Sequence, residues 1–137
     1  MSDRPFTAAS FDLFLSEGRL MASRCTACDA VHLPPRAICP KCFGEALEWI
    51  ETSGRGTLVA YTAIAIGPAA MQAAGYSRDN PYCSGLVTLE EGPTVSALIL
   101  GVDARHPETI HIGLPLVVGY EPIGGRTVLV FRPKQKL

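Results

Sequence analysis

Charge is what this chain of 137 residues has least of: Asp, Glu, Lys and Arg make up only 18%, and the formal net charge is −1. The two halves are equally unremarkable in sign. Residues 1–54 hold five Lys+Arg against seven Asp+Glu, and residues 55–137 hold seven against six. A phosphate-binding surface needs a basic footprint, and neither half supplies one. Aromatics are also sparse, at 7% with one Trp, which leaves little for stacking bases. No apolar run approaches the ~18 residues needed to span a bilayer. The first residues, with Asp3 and Arg4, lack the apolar core of a signal sequence. Three scattered histidines, one cysteine outside the two close pairs and no serine elbow leave no convincing catalytic set. These absences point away from nucleic acid, membrane and independent catalysis. A nucleic-acid-binding module is the alternative they weigh against.

Hydrophobic residues are nonetheless 47% of the chain. So apolar a composition with so little charge implies a surface partly covered by another protein. The length suits one ordinary domain, or a small metal-stapled module joined to a compact barrel.

The strong chemical signal is Cys25-Thr-Ala-Cys28, then ten residues, then Cys39-Pro-Lys-Cys42. Each Cys-x-x-Cys pair closes on one metal ion and the intervening loop brings the second pair round to complete a tetrahedron. Four thiolates at this spacing read as structural zinc. The pairs are too closely spaced for a spread disulfide framework, which favours a reducing, cytoplasmic setting. Four thiolates saturate tetrahedral zinc, so neither His32 nor the fifth cysteine, Cys83, is needed as a ligand, and a closed site does no chemistry.

Within residues 6–23, Phe11, Phe14 and Leu15 fall at helical spacing, with Ser10 as the expected N-cap and Gly18 as the stop. Leu20 to Arg24 reads as a strand entering the first knuckle. Asp29 follows that knuckle at a position that tends to need a left-handed backbone, which Asp tolerates. Phe43 follows the second knuckle as a bulky residue on a turn, covering the metal or touching a partner. Trp49 is expected to anchor the ribbon, and the turn Ser53-Gly-Arg-Gly56 leads into a second unit. The division is therefore placed at 1–52, helix and zinc ribbon, and 53–137, barrel. The fold class is mainly β.

Beyond residue 53 five segments are rich in β-branched and aromatic residues: 57–66, 82–90, 94–102, 116–121 and 127–132. Gly, Pro and Asp separate them, with Glu90-Glu-Gly-Pro93 as a tight hairpin. Closure into a five-stranded OB-type barrel removes the edges that so apolar a sheet would otherwise expose. The connection 67–81 is long enough to have a task, either presenting Met71, Tyr76 and Arg78 to a thioester with a phosphorylated tail or forming a short helix that caps the barrel.

With these pieces in place the chain resembles a known family along its whole length. The matching segments include Gly18-Arg-Leu20, Arg24-Cys-Thr-Ala-Cys28, Pro34-Pro-Arg36, Cys39-Pro-Lys-Cys42, Leu47-Glu-Trp49, Ser53-Gly-Arg-Gly-Thr57, Leu86-Val-Thr-Leu-Glu-Glu-Gly92 and Val130-Phe-Arg-Pro133. It is similar to the acyl-CoA-associated proteins built from an N-terminal helical hairpin, a rubredoxin-like zinc ribbon and a C-terminal OB fold. The resemblance implies a non-catalytic accessory subunit of a thiolase-like enzyme that makes or breaks carbon–carbon bonds in acyl-CoA substrates. It carries Cys25, Cys28, Cys39 and Cys42 over as zinc ligands. Beside it, Tyr76, Arg78 and Tyr82 are candidates for CoA contact, and Phe11, Phe14, Phe43 and Trp49 for the partner interface. Asp29 and Phe43 depart from the glycines that relatives often carry after their knuckles.

Overall fold

The computed structural model describes residues 4–134. Helix α1 (Ala8–Ser16) opens on Thr7, whose hydroxyl accepts the Ser10 backbone N–H at 3.2 Å. Ser10 is therefore not the cap expected of it. It lies inside the first turn, buried, and takes a hydrogen bond from the Thr7 hydroxyl. Gly18 ends the helix as expected, at φ +73°, where the Arg19 N–H returns to the Phe14 carbonyl. Among the described residues this is the single helix before the ribbon, where the family resemblance implied a hairpin of two.

The ribbon is three antiparallel strands, β1 (Met21–Cys25), β2 (Val31–His32) and β3 (Leu47–Glu51), in the order β2-β1-β3. β1 is buried along nearly its whole length: β2 and β3 flank it in the sheet, Ala22 packs into the barrel cluster, and Met21 packs against Phe14 and Trp49.

Five strands then close a barrel: β4 (Arg55–Ile64), β5 (Tyr82–Leu89), β6 (Thr94–Ile99), β7 (Pro115–Ile123) and β8 (Arg126–Pro133), in the order β4-β5-β6-β8-β7. A short helix α2 (Ala69–Ala73) interrupts the β4–β5 connection. All the joins are antiparallel except β6–β8, which is parallel and pairs Leu98 with Val130 and Ile99 with Phe131. Strand alternation does the sorting. Ile99 and Phe131 point into the barrel with Leu58, Val87, Leu89, Leu116 and Leu129, while Leu98 and Val130 face outward. β4 carries a bulge between Leu58 and Ala60. Gly85 lies across from it, where a Cβ would stand 2.9 Å from both Leu58 and Ile99, so any side chain here would have to displace both.

Ribbon and barrel are not separate cores. Leu15, Leu20, Ala22 and Leu33 belong to the same buried cluster as the barrel interior. The crossing is tied by backbone bonds: the Thr52 N–H and hydroxyl both donate to the Leu20 carbonyl at 3.0 and 3.1 Å, and the Val118 N–H donates to the Gly54 carbonyl at 2.7 Å. The Ser53 N–H donates to Glu91 Oε2 at 2.7 Å, pinning the β5–β6 hairpin to the junction.

A smaller cluster holds α1 to β3. Trp49 stacks on Phe6 at 4.8 Å and meets Phe14 edge-on at 4.9 Å, and its indole N–H donates to the Arg4 carbonyl at 2.9 Å. Arg4 lies 4.4 Å over the Phe14 ring and forks onto both Glu17 oxygens at 2.8 and 2.7 Å. Trp49→Ala is expected to cost about 3–5 kcal/mol by removing this centre. The measurement is a urea unfolding curve of the zinc-loaded protein, and an unchanged midpoint would contradict the anchoring role.

Candidate functional site

The ribbon brings Cys25, Cys28, Cys39 and Cys42 together with all four sulfurs within 4.8 Å of one another. Cys25 lies 3.5 Å from Cys42 and Cys28 lies 3.6 Å from Cys39, sulfur to sulfur. A tetrahedron with Zn–S bonds of ~2.3 Å has edges of ~3.8 Å, so the donor set fits one zinc ion. Cys25 and Cys39 are buried and Cys28 and Cys42 face outward. Bound there, zinc supplies a cross-link and folding free energy, with no coordination position left for substrate.

The two knuckles solve the same electrostatic problem in the same way. Cys25 is lowered by the backbone N–H of Cys28, with a smaller contribution from Ala27. Cys39 is held at about 6 by the N–H of Cys42, helped by His32 and Lys41, against burial pushing the other way. The outer pair receive one backbone donor each. The Ala30 N–H pulls Cys28 down, but the Cys39 sulfur and burial carry it up to about 12. The Gly44 N–H acts likewise on Cys42, which the Cys25 sulfur raises. Four crowded thiols cannot all ionise against one another; a divalent cation is what allows it.

Each knuckle is followed by a left-handed residue, Asp29 at φ 64° and Phe43 at φ 60°. Asp29 is suited to this and sits 3.7 Å from the Arg24 guanidinium, which also holds Glu48 at 2.8 Å. Phe43 is not suited to it, and the residue is 78% exposed, with its side chain in solvent and not packed into the ribbon.

Of the other residues singled out in the sequence, Phe14 and Trp49 are only 1% and 3% exposed, so neither is available to a partner. Their helical and strand spacing is accounted for by the aromatic cluster they form with each other. Phe11 is half-buried against the main core. Tyr82 is buried too, with Tyr76 edge-on to it at 5.3 Å, while Arg78 is exposed on the turn that follows. Tyr76 lines a cavity of about 380 Å³ with Ala65, Ile66, Gln72 and Ser77, and neither Arg78 nor Tyr82 reaches its wall. Met71 and Tyr76 pack on Tyr82, Leu98 and Val130, so the connection, with its short helix, lies against the barrel's outer side. Cys83 is buried in the barrel, its thiol pushed up by burial and directed at the Ser84 carbonyl.

One neighbour of the metal site was set aside on sequence grounds. The His32 Nε2 atom stands 3.5 Å from the Cys39 sulfur. The strand β2, which the sequence does not announce, pairs beside β1 with His32 opposite Ser23 and brings it alongside the second knuckle.

Fold and site together define a class, a rubredoxin-like zinc ribbon carried on an OB-fold barrel. Residues 14–48 match the family described as the ChsH2 rubredoxin-like zinc ribbon domain, and residues 49–121 match the ChsH2 C-terminal OB-fold domain. The chain belongs to the ChsH2 family of zinc-ribbon and OB-fold proteins. A DUF35 domain-containing scaffold protein of Methanocaldococcus jannaschii is 33% identical over 69% of this chain and 62% of its own length. A counterpart in Pyrococcus furiosus is 34% identical over 74% of this chain and 68% of its own. The benzoylsuccinyl-CoA thiolase subunit BbsA of Thauera aromatica is 32% identical over 60% of this chain and 52% of its own. The chain thus spans between about half and two thirds of the curated relatives it matches. Among solved structures, a chain of the Ltp2-ChsH2(DUF35) aldolase superposes with a TM-score of 0.77 at 28% identity, covering 97% of this chain and 98% of that one. A DUF35 protein of unknown function from Sulfolobus solfataricus gives 0.64 at 16% identity, over 92% and 84%, a likeness of fold alone.

Cys39→Ser should abolish zinc binding and Cys83→Ala should leave one zinc per chain, as measured by elemental analysis. Zinc titration at pH 7 should release fewer than four protons, because Cys39 with its value near 6 is already ionised. The count should rise as the pH falls through about 6, and affinity should fall with it, since protons then compete at every sulfur.

Proposed function

We propose that the chain is a zinc-stapled, non-catalytic accessory subunit of a thiolase-type acyl-CoA enzyme that forms or cleaves carbon–carbon bonds. The observation that carries this reading is the near full-length likeness to a chain of the Ltp2-ChsH2(DUF35) aldolase, with a thiolase subunit among the sequence relatives. The reacting groups then belong to the larger partner. On this chain the metal site is closed, the remaining thiol is buried, and the His106–Asp103 pair sits on an exposed loop with no nucleophile assigned to it. The ribbon half, 1–52, serves assembly, and the barrel half, 53–137, borders a passage for the CoA thioester near Tyr76 and Arg78. Four reduced thiolates suit the cytoplasm. Among the described residues no helix is long and apolar enough to cross a membrane.

Phe43 is the surface residue that supports docking. It is exposed, aromatic, and held in a conformation that costs a non-glycine residue about 1–2 kcal/mol. Ile38, before the same knuckle, is exposed as well. An expense of this kind at a solvated position has no return in the isolated chain, but an aromatic anchor for an apolar pocket on the partner returns it.

Purified from its own host, the tagged chain should retain a thiolase-type subunit, and that complex should turn over acyl-CoA where the chain alone does not. Turnover by the isolated chain would end the accessory reading, and capture of nucleic acid lost on raising the salt would favour the alternative. Phe43→Gly should raise the isolated chain's stability by about 1 kcal/mol through relief of the backbone and still weaken partner retention. Stability is read by urea unfolding and retention by pull-down. Undiminished retention would remove Phe43 from the interface.

A further inference from the structure

The two halves of the metal site are built alike except at one atom. On Cys25 the sulfur receives the N–H groups of Ala27 and Cys28, and on Cys39 those of Lys41 and Cys42. Cys28 and Cys42 each receive one, from Ala30 and Gly44. Six backbone donors are thus shared evenly between the knuckles. The seventh group has no counterpart: the His32 imidazole, with Nε2 3.5 Å from the Cys39 sulfur. Its strand fixes it there, since β2 is held to β1 by the pairs Ser23–His32 and Arg24–Val31.

We propose that His32 is a hydrogen-bond donor to the metal-bound Cys39 thiolate, a positioning residue that binds no metal itself and makes the four-cysteine site electronically asymmetric. This rests on the zinc reading of the four cysteines. With four sulfurs already present, the imidazole has no coordination position to fill, and it meets the sulfur as a donor when Nε2 carries a proton. An N–H···S bond draws electron density from the thiolate, stabilising the charge that a dication only half neutralises when four thiolates share it. It also makes that sulfur a weaker nucleophile. Cys39, already the buried member of its knuckle, becomes the best protected ligand, and the exposed Cys28 and Cys42 are left as the sulfurs that alkylating reagents reach first.

The first test uses the wild-type chain loaded with ¹¹³Cd. A scalar coupling between the metal and the His32 Nε2 proton, with ring ¹⁵N shifts of the Nε2–H tautomer, is the expected result. The Nδ1–H tautomer with no coupling overturns the proposal. The second compares His32→Phe, which keeps a ring and removes the donor, with His32→Gln, which keeps an N–H. With Co²⁺ in the site, the Phe variant should shift the sulfur-to-metal charge-transfer band to lower energy and lose about 10-fold in Zn²⁺ affinity, the lower end of what such neighbours contribute. The Gln variant should recover part of both. An unmoved band and affinity within twofold of wild type overturn the role of His32. Failure of the zinc reading is distinct, because the wild-type chain would then give no tetrahedral thiolate spectrum at all.

Discussion

Everything in the N-terminal third depends on one electrostatic fact: four thiolates held within 4.8 Å of one another repel, and a shared dication reverses the sign of that interaction. The ribbon strands are five, two and five residues long, too short to fold on pairing alone. The six N–H groups turned onto the sulfurs come from two tight knuckles that exist only in this arrangement. Zinc binding and the folding of the knuckles are therefore coupled.

That local order reaches the barrel because the core is continuous. Ala22 on β1, with Leu20 just before the strand, is buried with Leu58 and Phe131, and the next strand residue, Ser23, turns its hydroxyl to accept the Arg36 N–H on the side of the metal loop. One short strand thus touches the metal loop on one face and the barrel on the other. A ribbon of this size would be marginal by itself. Sharing the barrel's interior gives β1 the burial it lacks, and closing the barrel's neighbour with zinc keeps that interior covered.

The zinc site was legible in the sequence because its information is local: residue type and spacing along the chain state the chemistry outright. The five barrel strands were legible for a related reason, runs of β-branched and aromatic residues broken by Gly, Pro and Asp, although several ends moved by one to three residues. What could not be read was direction in space. Phe14 and Trp49 look the same in sequence whether they face a partner or each other, and only the packing of α1 on β3 decides it. Tyr82 likewise alternates correctly for either face of β5. Ser10 lost the cap to Thr7 because either hydroxyl satisfies the pattern and the entry path of the chain makes the choice. For His32 the cysteine count settles only that zinc needs no fifth ligand; that its ring stands beside a sulfur is a fact of the β1–β2 pairing.

The parallel join between β6 and β8 is the barrel's shortest seam, two residue pairs long, and parallel pairing is the weaker kind. Directly outside it, Leu98 and Val130 carry Met71 and Tyr76 from the β4–β5 connection. That connection therefore lies as a strap over a zip, adding buried apolar contact across the seam from a segment that belongs to no strand. A change of pose in the strap, on binding a neighbour or a thioester, would reach the barrel's interior through Ile99 and Phe131 on the other face of the same two pairs.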